Sequence, residues 1–306
     1  MDSVISARGV VRSFGETRAV DGLDLEIPTG SVTVLLGPNG AGKTTVVRLL
    51  TGALAPDSGE ISVFGITPSG PDGADVRRRC GVVPARPALY DRLDVHDNLR
   101  YAGELFAVDA AVLPARIQEA ATRFGIADAL GKRVGGYSTG MRARLALARA
   151  VLHEPDLLLL DEPTAGLDPE SARTVLGLID ELAEQGKAVV MCTHLLLEAE
   201  GLADKVVVLD HGATLVAGSP AELTAEYWPG TRVVLEAEEP TLLDGAAALP
   251  YVRGYSRNGV ATVDLATADS VPDLVDALVG AGARLTRVEP QTPTLEQLYF
   301  EIRGRS

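Results

Sequence analysis

The sequence predicts an α/β protein, with a core of parallel strands and connecting helices followed by a small α+β module at the C-terminal end. Three observations carry that prediction. Apolar runs without alternation at residues 157–160, 189–192 and 206–209 suit strands covered on both faces. A helix-like stretch at 170–185 joins the first two of them, which makes a βαβ unit. Near the C-terminal end, Asn258-Gly259 separates two strand-like runs, the strongest short hairpin signal.

The elements follow in order. Residues 3–64 carry β-type runs at 10–14, 23–27, 32–36 and 61–64, divided by Gly and Pro turns, with a helix-like stretch opening at 46. A short strand is expected at 81–84. Residues 88–150 are helix-dominated, at 94–106, 113–124 and 141–152. The last of these stops before Pro155, because the residue preceding a proline avoids the helical region. The core strands and the 170–185 helix come next. Around Trp228-Pro229-Gly230 the character changes. The tail then reads strand 233–237, helix 242–249, strand 252–256, turn, strand 261–265, helix 271–279 and strand 285–288. That order, βαββαβ, is the order of a ferredoxin-like module. Two domains are expected, at 1–225 and 231–306, and the second carries no recognisable catalytic or metal-binding pattern.

Composition narrows the function classes. With 306 residues the chain can bury a sizeable core. A net charge of −14 argues against nucleic acid as a partner, since such binding needs a basic surface. The short basic run Arg77, Arg78 and Arg79 reads as a solvated helix face. Cys80 and Cys192 stand far apart without CxxC spacing, which suggests a reducing compartment rather than a disulfide framework or a metal site. No apolar stretch approaches the 18 or so residues of a membrane span, and no signal-peptide pattern opens the chain. His96, His153 and His211 are expected at surface or turn positions without a role.

The chemistry concentrates elsewhere. Gly37, Pro38, Asn39, Gly40, Ala41, Gly42, Lys43, Thr44 and Thr45 follow an apolar run and precede a helix. This is G-x-x-x-x-G-K-[ST], the phosphate-binding loop, in its strand–loop–helix setting. Its glycines let backbone N–H groups curl around phosphate oxygens at a helix N-terminus, where the dipole favours an anion. Lys43 adds a point charge for the β- and γ-phosphates, and the Thr44 hydroxyl can ligate Mg²⁺. The pattern predicts binding of a nucleoside triphosphate. Downstream, the run 157–160 ends in Asp161 and Glu162. At the tip of a parallel strand beside the loop, Asp161 can hold Mg²⁺ through water and Glu162 can polarise an attacking water. Gly135-Gly136-Tyr137-Ser138-Thr139-Gly140-Met141 precedes a helix that Ser138 can cap. Taken alone it reads as a well-capped helix; it also offers a second anion site. Asp168 opens another helix, and His194 follows a buried strand.

Together these motifs, over residues 3 to about 225, resemble the nucleotide-binding subunit of an ATP-binding-cassette (ABC) transporter. The resemblance implies a P-loop cassette with a parallel-sheet core, an antiparallel β subdomain and a helical subdomain at about 86–153. It implies ATP and Mg²⁺ as ligands, and two subunits stacked head to tail around two ATP molecules. Residues 137–141 then correspond to the signature motif, and Ser138 and Gly140 would meet the γ-phosphate held by the opposite subunit. Asp161 and Thr44 would bind Mg²⁺, and Glu162 would be the catalytic base. Asp168 would lie on the loop linking the two sites, and His194 would be the switch histidine. Phe14 falls where an aromatic ring stacks on adenine; an ordinary strand-end phenylalanine is the other reading. The expected partners are a second ATP-binding subunit, identical or similar, and a separate integral-membrane permease, with this chain on the inner face of the cell membrane.

Two departures stand out. The family usually has a Gln after the strand at 81–84, where this chain has Ala85, and no Gln lies between Lys43 and Gln118. Hydrolysis is expected to survive, because Asp161 and Glu162 remain. The signature also carries Thr139 and Met141 where Gly and Gln are commoner, which leaves its backbone donors intact. The Met-ending signature and the tail, ending in Thr294-Leu295-Glu296-Gln297-Leu298-Tyr299-Phe300, are similar to bacterial drug and antibiotic exporter ATPases. An import ATPase and a weakly hydrolysing regulatory subunit are the alternatives. The first shares every motif up to 225, and Ala85 motivates the second.

Overall fold

A computed structural model describes residues 3–196, 200–228 and 230–305, so Pro229, in the segment where the sequence changes character, lies outside the described residues. The chain divides into two compact units, Met1–Ser219 and Pro220–Ser306.

The first unit opens with β1 (Ser3–Phe14), β2 (Thr17–Pro28), β3 (Val32–Leu36), α1 (Lys43–Leu50), β4 (Ser58–Val63), α2 (Gly73–Arg78) and β5 (Cys80–Val83). Three helices follow, α3 (Val95–Leu105), α4 (Leu113–Arg123) and α5 (Thr139–Val151). The unit closes with β6 (Leu157–Asp161), α6 (Pro169–Glu184), β7 (Ala188–Thr193), β8 (Lys205–Asp210) and β9 (Ala213–Gly218).

Two sheets result. The antiparallel one has the order β2-β1-β4. In β2, buried Leu23, Leu25 and Ile27 alternate with exposed Asp24 and Glu26, the pattern of a sheet with one wet face. The other has the order β5-β6-β7-β3-β8-β9, parallel except for the last strand. Every residue of β3, β6 and β7 is buried, which is why these strands read as unbroken apolar runs. Because β5, β6, β7 and β3 are parallel neighbours, their C-terminal ends fall in one row. Those ends are followed by Ala85, Glu162, His194 and the glycine loop.

The helical region, α3 to α5, is held largely by arginines. Arg142 donates to Asp91 Oδ1 at 2.7 Å, Arg144 to the Gly125 carbonyl at 3.0 Å, and Arg149 to the Ala88 carbonyl. Each guanidinium reaches a loop that has few backbone partners of its own, and its planar fork fixes direction as well as charge. Asp94 caps α3 by accepting from the Asp97 amide at 2.8 Å.

The second unit contains β10 (Thr231–Ala237), β11 (Val252–Asn258), β12 (Val260–Leu265) and β13 (Leu285–Gln291) in one antiparallel sheet. Its order, β11-β12-β10-β13, is that of a ferredoxin-like module. The β11–β12 hairpin turns at Gly259, whose φ is +85°. The first of its two helices, expected at 242–249, is a 3₁₀ segment, Pro240–Ala248. The proline start, Gly245 inside it and Pro250 beyond it leave too short a stretch for a regular α-helix.

Other elements depart from the sequence reading. Helices Pro220–Tyr227 and Leu295–Arg305 pack together within the second unit, so the division falls at Ser219/Pro220 rather than at 225. Leu295, Leu298, Tyr299 and Ile302 are buried there, which accounts for the apolar spacing of the tail. Strand β9 also escaped the pattern, since it is short and only partly buried, whereas α2 carries the basic run that reads as a helix face. Cys80 and Cys192 are free and buried, and burial pushes the Cys80 thiol up to about 12.

The core strand β6 sets the stability of the first unit. Leu159 is fully buried between the two faces of the sheet. Leu159→Ala is expected to cost about 2–5 kcal/mol, the range for a leucine truncated in a packed core, measured by urea unfolding of the full chain.

Candidate active site

The residues that precede α1 cannot be other than glycine at two places. Gly42, the N-cap of α1, has φ +97°, and a Cβ there would lie 2.3 Å from the Ala19 carbonyl oxygen. At Gly37 a Cβ would lie 2.5 Å from the Leu209 carbonyl oxygen. Gly42 brings no side chain to cap the helix, and the first intrahelical bond runs from Val46 N to Gly42 O. The amides of the first turn, Lys43 to Thr45, therefore have no intrahelical acceptor and are free to meet an anion.

These groups face a cavity of about 420 Å³. Its wall consists of the loop from Pro38 to Thr45, with Ala19, Ala85, Asp161 and Glu162. Lys43 is buried and donates to the Gly37 carbonyl at 2.6 Å and to the Pro38 carbonyl at 3.3 Å, so the loop wraps around its own lysine. Its Nζ also lies 3.4 Å from Glu162 Oε1. Thr44 Oγ1 donates to Asp161 Oδ2 at 2.7 Å. Asp161 is 3% exposed, and burial pushes its carboxyl above the ordinary range. The Thr44 hydroxyl pulls it back, Glu162 pushes the same way as burial, and Lys43 opposes.

Glu162 stands in the left-handed region, φ +53°, and its amide donates to the Cys192 carbonyl at 2.9 Å. A non-glycine residue held there costs about 1–2 kcal/mol, and such positions cluster where geometry serves a site. Its second carboxylate oxygen lies 2.9 Å from His194 Nδ1. His194 is otherwise open to solvent. A lysine, two carboxylates, a hydroxyl and an imidazole thus converge at the tips of three adjacent strands. The Thr44–Asp161 pair presents two hard oxygens side by side, a donor set that suits Mg²⁺.

The other sequence-predicted residues lie outside the cavity wall. Ser138 caps α5 by accepting from the Met141 amide at 3.2 Å and is exposed. Asp168 caps α6, accepting from Ser171 N at 2.9 Å and Ser171 Oγ at 2.7 Å, and those bonds hold its carboxyl below the usual range. A Cβ at Gly140 would come within 2.7 Å of Ser171 Oγ, so the starts of α5 and α6 touch only because residue 140 is a glycine. Phe14 sits exposed at the β1–β2 turn with the Arg12 guanidinium 5.1 Å from its ring centre. Ala85 does line the cavity, a methyl where a polar side chain was expected. Sequence reading missed Ala19, whose carbonyl shapes the loop, because backbone roles leave no residue-type signal. His153 lies at a turn, as expected, and there it is half-buried, stacks on Phe106 at 3.8 Å and bonds the Cys80 carbonyl at 3.1 Å through Nε2.

A phosphate loop after β3 of a parallel sheet, with paired carboxylates at the tip of β6 two strands away, defines a P-loop ATPase. The chain belongs to the ATP-binding subunits of ABC transporters. Residues 20–165 match the family model described as ABC transporter. The chain is 37% identical to the daunorubicin resistance ATP-binding protein DrrA3 of Streptomyces coeruleorubidus, over 99% of this chain and 96% of that one. It is 36% identical to the Nod factor export ATP-binding protein I of a Rhizobium species (strain N33), over 98% and 97%. A solved ATP-binding subunit of an ABC transporter covers 74% of this chain and 93% of its own length, with a TM-score of 0.67 and 26% identity. The protein is therefore an ATP-binding ATPase subunit of a transporter.

The raised Asp161 carboxyl has a consequence for stability. A carboxyl whose folded pKa lies above its unfolded value favours folding when protonated, so that advantage exists at acid pH and is lost as pH rises through the raised value. At pH 7, without nucleotide and with a chelator present, Asp161→Asn is expected to melt above the parent. The difference should shrink on acidification below the ordinary carboxylate range, as followed by differential scanning calorimetry.

Proposed function

We propose that this chain powers export through a separate integral-membrane permease, and that two copies, or this chain and a similar one, close around ATP. The observation that carries the reading is the convergence of Lys43, Thr44, Asp161, Glu162 and His194 at one edge of the sheet. Lys43 and the open amides of α1 bind the β- and γ-phosphates. Thr44 and Asp161 hold Mg²⁺, which supplies positive charge against the phosphates. Glu162 takes the proton of the attacking water, and His194 orients that carboxylate through the 2.9 Å contact. Phe14 stacks on adenine.

Dimerisation is supported by where Ser138 and Gly140 lie. They open a well-capped helix, yet they are absent from the wall of the chain's own phosphate cavity. A second copy can present that helix end to the γ-phosphate, with Asp168 joining the two sites. ATP then ties the subunits together, and hydrolysis releases them.

A permease contact is supported by an apolar groove of about 520 Å³ beside β5, lined by Thr51, Val82, Leu105 and Phe106 with Arg77 and Arg78 at its side. Leu105 is 69% exposed. Val82 lies three residues before Ala85, so a segment seated in the groove rests on the strand that ends at the nucleotide. No described helix is long and apolar enough to cross a membrane, which fits a subunit that acts through a partner on the inner membrane face. Export is supported by full-length likeness, tail included, to subunits whose names specify drug resistance and Nod factor export. Ala85 supports a second reading, a subunit of reduced turnover.

Two variants test this. Glu162→Gln is expected to lose at least about 10²-fold in ATP turnover while forming an ATP-dependent dimer by light scattering; a variant that binds ATP and stays monomeric overturns the sandwich. Ala85→Gln is expected to raise turnover by less than about 10²-fold, and a larger gain would make Ala85 the mark of a crippled site.

A further inference from the structure

A second polar cavity, of about 300 Å³, lies at the other end of the parallel sheet. Glu154 and Lys187, which line it, precede β6 and β7, whereas Asp161 and Glu162 close β6 and follow it. The five residues of β6 put about 16 Å between the two ends.

Three cations converge there: Arg116 and Arg123 from α4, two turns apart on one helix face, and Lys187 from the turn before β7. Arg116 holds Glu154 at 2.6 Å and reaches the Leu152 carbonyl at 3.4 Å. Lys187 Nζ donates to the Pro155 carbonyl at 2.7 Å and has no carboxylate partner among the described residues. Arg123 Nη2 is buried without a hydrogen-bond acceptor, and its ion pair with Glu181 is stretched to 4.0 Å. In a chain of net charge −14, two under-compensated cations facing one cavity are unusual. The neighbouring His153 feels the same field. Burial lowers its pKa first, the Cys80 carbonyl opposes, and the charges of Lys187 and Arg116 lower it further.

We propose that this cavity is a second anion site, which takes a compact phosphate group carried by a soluble molecule or a lipid headgroup. The Arg123 guanidinium offers a planar fork of donors and Lys187 a point charge, the combination that suits phosphate oxygens, with Arg116 adding positive charge beside them. Glu154 is already bound by Arg116, and Glu119 is the carboxylate in the wall that opposes the ligand. A bound phosphate bridges α4 to the start of β7 and so ties the helical region to the sheet, independently of ATP at the opposite edge.

The test uses the full chain carrying Lys43→Ala, so that the phosphate loop does not compete. Inorganic phosphate is titrated against chloride at equal ionic strength and thermal melting is followed. A concentration-dependent rise is expected, with affinity reduced at least about tenfold in Arg123→Gln/Lys187→Met and raised about fivefold in Glu119→Gln. Flotation with vesicles containing phosphatidic acid separates the sources: soluble phosphate acting alone assigns a small molecule, and vesicle capture lost in the double variant assigns a headgroup. The proposal is overturned if neither probe binds, or if the double variant binds as the parent does. Should the double variant fail to fold in chloride, Glu119→Gln decides, and an unchanged affinity there overturns it.

Discussion

A buried carboxylate organises this molecule. Asp161 ends a strand whose side chains are all out of water, and removing a charge from water is costly unless partners replace the solvent. Thr44 supplies one such partner at 2.7 Å. That bond joins the tip of β6 to the first turn of α1, which fixes where the helix starts relative to the sheet. Lys43, drawn inward onto the Gly37 and Pro38 carbonyls, places a second charge nearby, and Glu162 answers it at 3.4 Å. Each of these groups is tolerable in the interior only because the others are there. The cluster remains under strain, as the raised Asp161 carboxyl and the left-handed Glu162 both indicate. A ligand that binds this cluster in the folded chain stabilises that fold by mass action.

Much of this was legible in the amino-acid order because the signals are local. Strands covered on both faces must be apolar throughout, so β3, β6, β7 and β8 announced themselves. A phosphate loop needs glycine where Ala19 and Leu209 press against the backbone, so its spacing is fixed by contact. Helix caps at Asp94, Ser138 and Asp168 were readable for the same reason, since each bonds an amide three residues on. What escaped depends on long-range packing. The 3₁₀ segment Pro240–Ala248 has helical composition but too few uninterrupted residues to propagate a helix. The contacts of the turn residue His153 escaped because nothing nearby in sequence reveals Phe106 or the Cys80 carbonyl. The cation-lined cavity joins residues 116, 123 and 187, and no sequence window contains them all.

The preference for arginine, 24 against 4 lysines, acquires a structural meaning in α4 and α5. Isolated surface ion pairs contribute little, about 0–1 kcal/mol each. Here many of the guanidiniums grip backbone carbonyls, at Ala88, Phe124, Gly125, Val134 and Leu152. Those contacts add donors to carbonyls in and beside the loops, and they impose a direction that an ammonium would not. The helical region thus has loops clamped to α4 and α5, with α5 capped by Ser138.

That construction bears on Ala85. Among the four adjacent strand tips, β3 and β6 deliver polar groups to the cavity wall, β7 brings His194 onto Glu162, and β5 delivers a methyl. The segment that follows it is positioned from the other side. Arg149 holds the Ala88 carbonyl, the buried Asn98 bonds both the amide and the carbonyl of Tyr90, and Arg142 holds Asp91. A side chain at 85 is therefore not required to place the segment. It would be required to sense the nucleotide directly, and alanine cannot. The backbone of residues 82–91, with its arginine and asparagine ties to α3 and α5, joins the cavity wall at Ala85 to the groove beside β5.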